Sequence, residues 1–463
     1  MKFKDWNRGH QASNRSHRVI NPFERLPTEI IQYIAYLLPS DADIAHFSSC
    51  CRTLAERILP GQSAIWRARF QDRYDPPRNR NSFEIKVEYQ IREIVLAQKI
   101  SFKHGEKDEQ NLWLTVIQDM LLESSRLCGE KDMSASKSFT RIRQVVFDSG
   151  FLSIPVNGYE QRKHERPSDL FCGVQLCLTG LALDPEMSVS CLRTGYDIGT
   201  VYSYQPGDNQ TPNLSPPLSI DPGVRKITQI RNFWLRHLLN PNEASFYTSY
   251  MKLLPHLRPK PSTNLTRHYT APAENWLGYY SCIHPYPETL DAPEMRQTCG
   301  DLSAHLTQVD CMSLTLHANR DPLNWPPAFQ ALIPFLADER SRVYFRGVQT
   351  NHNSDDGEMY LVRGFVEPLQ DVYGGFPGWK RICFAIYAAN RDFLPILEGG
   401  SGQGQHGTGM FPNEAWPPID MEVEFTCIHG YEGRLLPGGS MILGQWVDMR
   451  NTTGKGPFIF WDV

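Results

Sequence analysis

The chain has 463 residues, 41% of them apolar and 21% charged, an ordinary globular composition with enough apolar mass for about two to four domains. A net charge of -4 gives no electrostatic footprint for nucleic acid or an anionic membrane surface, and no apolar run approaches the ~20 residues of a membrane span. The 11 cysteines, odd in number and without a CxxC, point to a reducing compartment, cytoplasm or nucleus, where thiols serve as small hydrophobes.

Residues 1–20 are polar and basic, with no apolar core of a secretory signal, and read as a disordered tail. A helix is expected from Leu26-Pro27, since proline suits the first helical position. Ile30, Ile34 and Leu37 follow on one stripe, and Pro39 ends the helix. Ser40 and Asp43 have the spacing of a capping box, so a second helix starts there, with Ile44, Phe47 and Cys51 as its stripe. A third runs through Arg52, Leu54 and Ile58 to Pro60-Gly61, and Ile65, Trp66 and Phe70 give one more apolar turn. Helices this short need packing to persist, and some fifty residues enclose little interior. The apolar stripe therefore either caps the chain's own next domain or docks on another protein.

The stretch "LPTEIIQYIAYLLPSDADIAHFSSCCRTLAERILPGQSAIWRARF" resembles the F-box, the adaptor-binding motif of cullin-based ubiquitin ligases. The likeness rests on L-P-x-E-I, the apolar residues one and two turns on, the Pro-Ser-Asp break, the Cys-Arg pair and the late Trp. It implies that Leu26, Pro27, Ile30, Ile34, Leu37, Ile44 and Phe47 meet a Skp-type adaptor bound to a cullin scaffold. It also implies that Cys51, Arg52 and Trp66 hold the motif together.

Beyond the F-box (21–70), residues 71–255 are expected to be mainly helical. Phe83, Val87, Ile91, Ile94 and Val95 form one expected core stripe, and Leu112, Trp113, Val116, Ile117, Met120 and Leu121 another. Between 139 and 200 the pattern leaves helix and strand open. "VRKITQIRNFWLRHLL" and "NEASFYTSYMKLL" read as helices, and the Pro-rich stretch 256–275 as a linker between domains. From Trp276 onward the texture is β: "SRVYFRGVQ", "EMYLVRGFV", "RICFAIYAA", "MEVEFTCIH", "SMILGQW" and "GPFIFWDV" are short, alternating and rich in β-branched and aromatic residues. Pro437-Gly438-Gly439 marks a hairpin. The fold class is α+β multidomain, with an antiparallel β-barrel or sandwich over 276–463; a barrel has the advantage of leaving no unpaired edge. "YFRGVQ", "VRGFVEPL", "YGGFPGWKRICFAIYA" and "YEGRLLPGGSMILGQW" resemble the C-terminal lobe of a group of fungal F-box proteins.

Chemistry is sparse. Gly402, Gly404 and Gly407 match a dinucleotide fingerprint, but proline follows where the motif requires a helix, so a loop is expected and no cofactor. Cys282, His284, Cys299, His305 and Cys311 lack the paired spacing of a zinc site. No catalytic constellation stands out. Arg346, Arg363 and Arg381, with Trp276, Tyr279, Trp379 and Trp446, are of the types that dominate binding hot spots and are candidate target contacts. The expectation is a non-catalytic substrate receptor that delivers an unknown protein target for proteasomal degradation, without nucleic-acid or membrane partners. The alternative is a lipocalin-like barrel for a small molecule, suggested by "NWLGYY", with a regulatory F-box.

Overall fold

A computed structural model describes residues 22–77, 79–98, 100, 102, 107–128, 135–154, 167–187, 195–202, 223–242, 244–262, 265, 271–282, 311–319, 335, 341–351, 360–369, 372–389, 425–449 and 454–463. The chain divides into two compact units, Met1–Ile94 and Val95–Val463.

The first unit holds α1 (Thr28–Tyr36), α2 (Asp41–Ser49), α3 (Arg52–Ile58), α4 (Ala64–Arg73) and most of α5 (Ser82–Ala97). Pro27 sits one residue earlier in the helix than expected, as the extended N-cap of α1. The capping box forms as the spacing predicts: the Asp43 amide donates to Ser40 Oγ at 3.1 Å, and the Ser40 amide donates to the Asp43 carboxylate at 3.1 Å. Ile31, Ala35, Ile44, Leu54, Ile58, Ile65 and Phe70 make the core. Long side chains tie the turns to it. Arg57 donates to the carbonyls of Phe23 and Leu26, Arg69 to that of Leu38, and Gln32 to that of Arg57.

On α5 the expected core stripe is buried at Val95 alone and otherwise faces the wrong way. Phe83, Val87, Ile91 and Ile94 are exposed, and the buried face carries Ile85, Tyr89 and Arg92 instead. The Arg92 guanidinium lies over the rings of Phe70 and Tyr74, 5.1 and 5.0 Å from their centroids, and pairs with Glu88. A charged residue whose stem and head are both absorbed in this way is invisible to a count of apolar positions.

The second unit joins a helical layer to a closed barrel. Its helices are α6 (Lys107–Cys128), α7 (Lys137–Asp148), α8 (Asp169–Cys177), α9 (Thr179–Ala182), α10 (Ile198–Tyr202), α11 (Val224–Leu239) and α12 (Ala244–Lys252), which resolves the ambiguous stretch 139–200 as helical where it is described. The strands are β1 (Asn275–Tyr280), β2 (Met312–Asn319), β3 (Val343–Asn351), β4 (Tyr360–Pro368), β5 (Lys380–Ala389), β6 (Phe425–Leu435), β7 (Met441–Asp448) and β8 (Lys455–Asp462). All neighbours are antiparallel, and β8 closes the barrel on β1 through pairs such as Leu277 with Trp461. The choice between barrel and sandwich is thus settled as a barrel. The β2 strand was not among the expected ones. The Pro437-Gly438-Gly439 hairpin is present, with both glycines at positive φ.

The expected linker 256–275 does not divide helices from barrel into separate bodies. Trp461 Nε1 donates to the Leu257 carbonyl at 2.8 Å, and a Cβ on Gly180 would fall 2.3 Å from the Lys260 carbonyl oxygen. Helices and barrel are fastened elsewhere too: Tyr202 Oη lies 2.9 Å from Ser281 Oγ, and Ser249 Oγ lies 3.1 Å from Tyr279 Oη. Among the described residues no helix is long and apolar enough to cross a membrane.

Candidate docking face and barrel wall

The α1 helix has one face for its own core and one for something else. Ile31 and Ala35 are fully enclosed, whereas Ile30 is 46% exposed, Tyr33 60%, Ile34 37% and Leu37 61%. Leu26 and Phe47 are partly buried. Phe47 packs edge-on against Phe23, with centroids 6.0 Å apart. Tyr33 stacks on Tyr36 at 6.5 Å, and a hydrogen bond to Asp72 raises the Tyr36 hydroxyl above its ordinary value. Four large side chains on one helix face, rigidly presented by a core beneath them, form the kind of patch that marks a protein-docking site. Pro27 is exposed at its rim. Ile44 is a correction: it is 1% exposed, a buried residue of α2 rather than part of an open face. Arg52 also departs from the implied bracing role, being exposed and paired with Glu56 one turn on.

In the barrel, one continuous set of buried side chains draws on all eight strands, including Trp276, Leu314, Phe345, Val362, Phe384, Tyr431, Trp446 and Phe458. Only the interior of a closed barrel can join all strands in one cluster, so these residues point inward and their sequence neighbours outward. The interior is packed with rings. Phe384 stacks on Tyr431 at 4.7 Å, and Phe458 sits 5.2 Å from Tyr431 and 5.6 Å from Phe460. Glycines make room for them: a Cβ on Gly364 would fall 2.4 Å from Phe345 Cζ, and one on Gly433 2.8 Å from Phe458 Cζ.

The residues singled out as target contacts fare unevenly. Trp276 and Trp446 belong to the packed interior, and their indole N–H groups donate to the Ala273 and Ser281 carbonyls at 2.8 and 2.7 Å. Tyr279 faces outward into the helical layer, where it meets Trp234, Phe246 and Trp461, and Trp379 is buried against Tyr373. Arg381 is wholly enclosed. Its Nε donates to Glu432 at 2.8 Å and its Nη1 to Glu367 at 3.2 Å, while Arg342 Nε holds the other Glu367 oxygen at 2.8 Å. Burial works against the Arg381 charge, but Cys383, Glu432 and Glu367 outweigh it, and the guanidinium stays above its ordinary value. These five side chains brace the barrel in this structure, and none of them is presented to a partner.

Arg346 and Arg363 differ. They are direct cross-strand partners on the outer wall. Arg346 is partly exposed and Arg363 is 6% exposed. Burial, opposed in part by Tyr387 and reinforced by Arg346, lowers the Arg363 guanidinium to about 10.

A further group gives no signal in the sequence. Where β1, β3, β5 and β7 finish, the inward positions turn polar: Tyr280, Gln349, Tyr360, His429 and Asp448 share the interior register with Trp446. Tyr280 meets Trp446 edge-on at 5.3 Å, and His429 lies 4.8 Å from it. Nearby, burial and then Asp448 push the Cys282 thiol up to about 12, which favours the protonated thiol over the thiolate. Of this group Tyr280, Tyr360 and His429 are open or partly open, whereas Gln349, Trp446 and Asp448 are buried. Its members come from five strands, and only the register brings them together.

The glycine motif Gly402, Gly404 and Gly407 lies outside the described residues, as do His284, Cys299 and His305. Among the described residues no group of three or more His, Cys, Asp or Glu side chains is placed to hold a metal ion. Compared with known protein families, with curated proteins and with solved structures, the chain matches none.

Proposed function

We propose that the chain is a non-catalytic receptor subunit of a Skp–cullin–F-box ubiquitin ligase. The α1 face docks on the adaptor, and the barrel holds a protein target. The observation that carries this reading is the outward apolar row Ile30, Tyr33, Ile34 and Leu37 on a small helical unit whose own core is already filled by Ile31, Ala35 and their neighbours. The arrangement supplies proximity rather than bond chemistry: a target held near a charged conjugating enzyme gains effective concentration. The ring-packed interior speaks against a deep lipocalin-like calyx, so the small-molecule reading is not carried further. The test is co-purification. Ile34→Glu is expected to abolish capture of a Skp-type adaptor while leaving the circular dichroism of the whole chain unchanged; full capture by the folded variant removes the proposal.

A further inference from the structure

The α5 helix is apolar on two sides. Its inner side is held within the first unit: Ile85 is enclosed, Tyr89 donates to Asp41, and Arg92 lies over Phe70 and Tyr74. Its outer side carries Phe83, Val87, Ile91 and Ile94, spaced i, i+4, i+8 and i+11, a single stripe about 16 Å long. An apolar row left open on a helix already packed on its other side marks an interaction surface.

Exposure along the row reads the same from either end. Phe83 and Ile94, at the ends, are 64% and 63% exposed, and Val87 and Ile91, between them, 38% and 42%. A two-fold contact demands that property, because position i meets position j of the other copy while j meets i. We infer that this row is a homodimer interface, in which α5 pairs antiparallel with α5 of a second copy. The two-fold axis crosses the row between Val87 and Ile91, setting Phe83 against Ile94 of the other copy and Val87 against Ile91. Charge does not oppose the pairing. Glu88 and Glu93 are already taken up by Arg80, Arg92 and Arg73, and exposed Glu84 sits at one end of the pair with its copy at the other. About half of each of the four side chains is open, ~100 Å² apiece, which gives ~800 Å² for the pair. The exposed flanks at Glu84 and Gln90 bring the total to about 1,000 Å², the lower limit of a specific contact, so the dimer is weak and reversible, with a Kd on the order of 10 μM.

Sedimentation equilibrium of the full chain tests this. The weight-average mass is expected to climb from 53.0 kDa toward twice that value as concentration passes about 10 μM. Ile91→Glu is expected to keep its circular dichroism and to weaken pairing about a hundredfold or more, whereas Ile34→Glu, on the α1 face, still pairs. Val87→Glu and Ile91→Lys chains should each be monomeric alone and pair when mixed, because the antiparallel register brings those two positions together. A wild type still at monomer mass at about 200 μM gives the row to a foreign protein and overturns the dimer. Association that survives Ile91→Glu, association abolished by Ile34→Glu, or a mixture that stays monomeric overturns it as well. If Ile91→Glu does not fold, Ile94→Glu, at a more open position, takes its place. Adaptor capture by the same chains is scored separately, so a chain that pairs but captures no adaptor keeps the dimer and loses the ligase.

Discussion

Ile30 and Ile31 are adjacent, identical in side chain, and sent in opposite directions by α1. Truncating Ile31 removes a fully enclosed side chain from a small core and should cost about 2–5 kcal/mol of stability. Truncating Ile30, already 46% exposed, should cost less than about 0.5 kcal/mol. Its exposed half is what docking would bury. Full burial of such a side chain is worth about 1.5–3 kcal/mol, so Ile30→Ala should weaken adaptor binding by about 1 kcal/mol, or roughly five- to tenfold. Ile30→Glu, which would bury a carboxylate, should weaken it about a hundredfold or more. The assay pairs urea unfolding of each variant with titration of a purified Skp-type adaptor. Equal destabilisation by the two alanine variants would refute the assigned faces, and undiminished binding by Ile30→Glu would refute the docking role.

Removing Arg381 leaves Glu367 and Glu432 short of a buried cation, and Arg381→Ala should cost about 3–5 kcal/mol in urea unfolding followed by tryptophan fluorescence. Gly173→Ala would set a Cβ 1.9 Å from the Gly374 carbonyl oxygen; because the obstacle is backbone, the loss should reach about 3 kcal/mol, read as a lowered calorimetric midpoint. Burial pushes the Cys172 thiol up to about 11, above its ordinary 9.0, so the native state holds that proton more tightly than the unfolded chain. Its contribution is intact below pH 9 and is lost as pH rises toward 11, on the order of 2 kcal/mol, and Cys172→Ala should flatten that slope in pH-dependent unfolding.

What sequence could convey was local. The Ser40–Asp43 cap, the short helices before residue 70 and the hairpin at Pro437 are set by neighbours a few residues apart, and all three are found. The outward row of α1 was legible because its apolar spacing exceeds what its core needs. The α5 error has the opposite origin, since Tyr89 and Arg92 fill the inner face and leave the more apolar stripe outside. The β2 strand "MSLTLHAN" alternates as a half-buried strand should, but it hid because Thr315 is its one β-branched residue, it carries no Phe, Tyr or Trp, and it ends polar. The fate of the arginines depended on register. Nothing near Arg381 in sequence announces Glu367 and Glu432, whereas pairing across three strands brings them within hydrogen-bond reach.

The β1–β8 seam has a consequence for biosynthesis. While the ribosome is still working between Tyr280 and Lys455, β1 has emerged without one of its two permanent neighbours. Its edge, and later that of β7, stays open to any passing strand until the final hydrogen-bonded partner arrives. A nascent chain stalled before residue 455 is therefore predisposed to self-association, and the helical layer, made earlier, is the native surface then at hand to shelter the unfinished sheet.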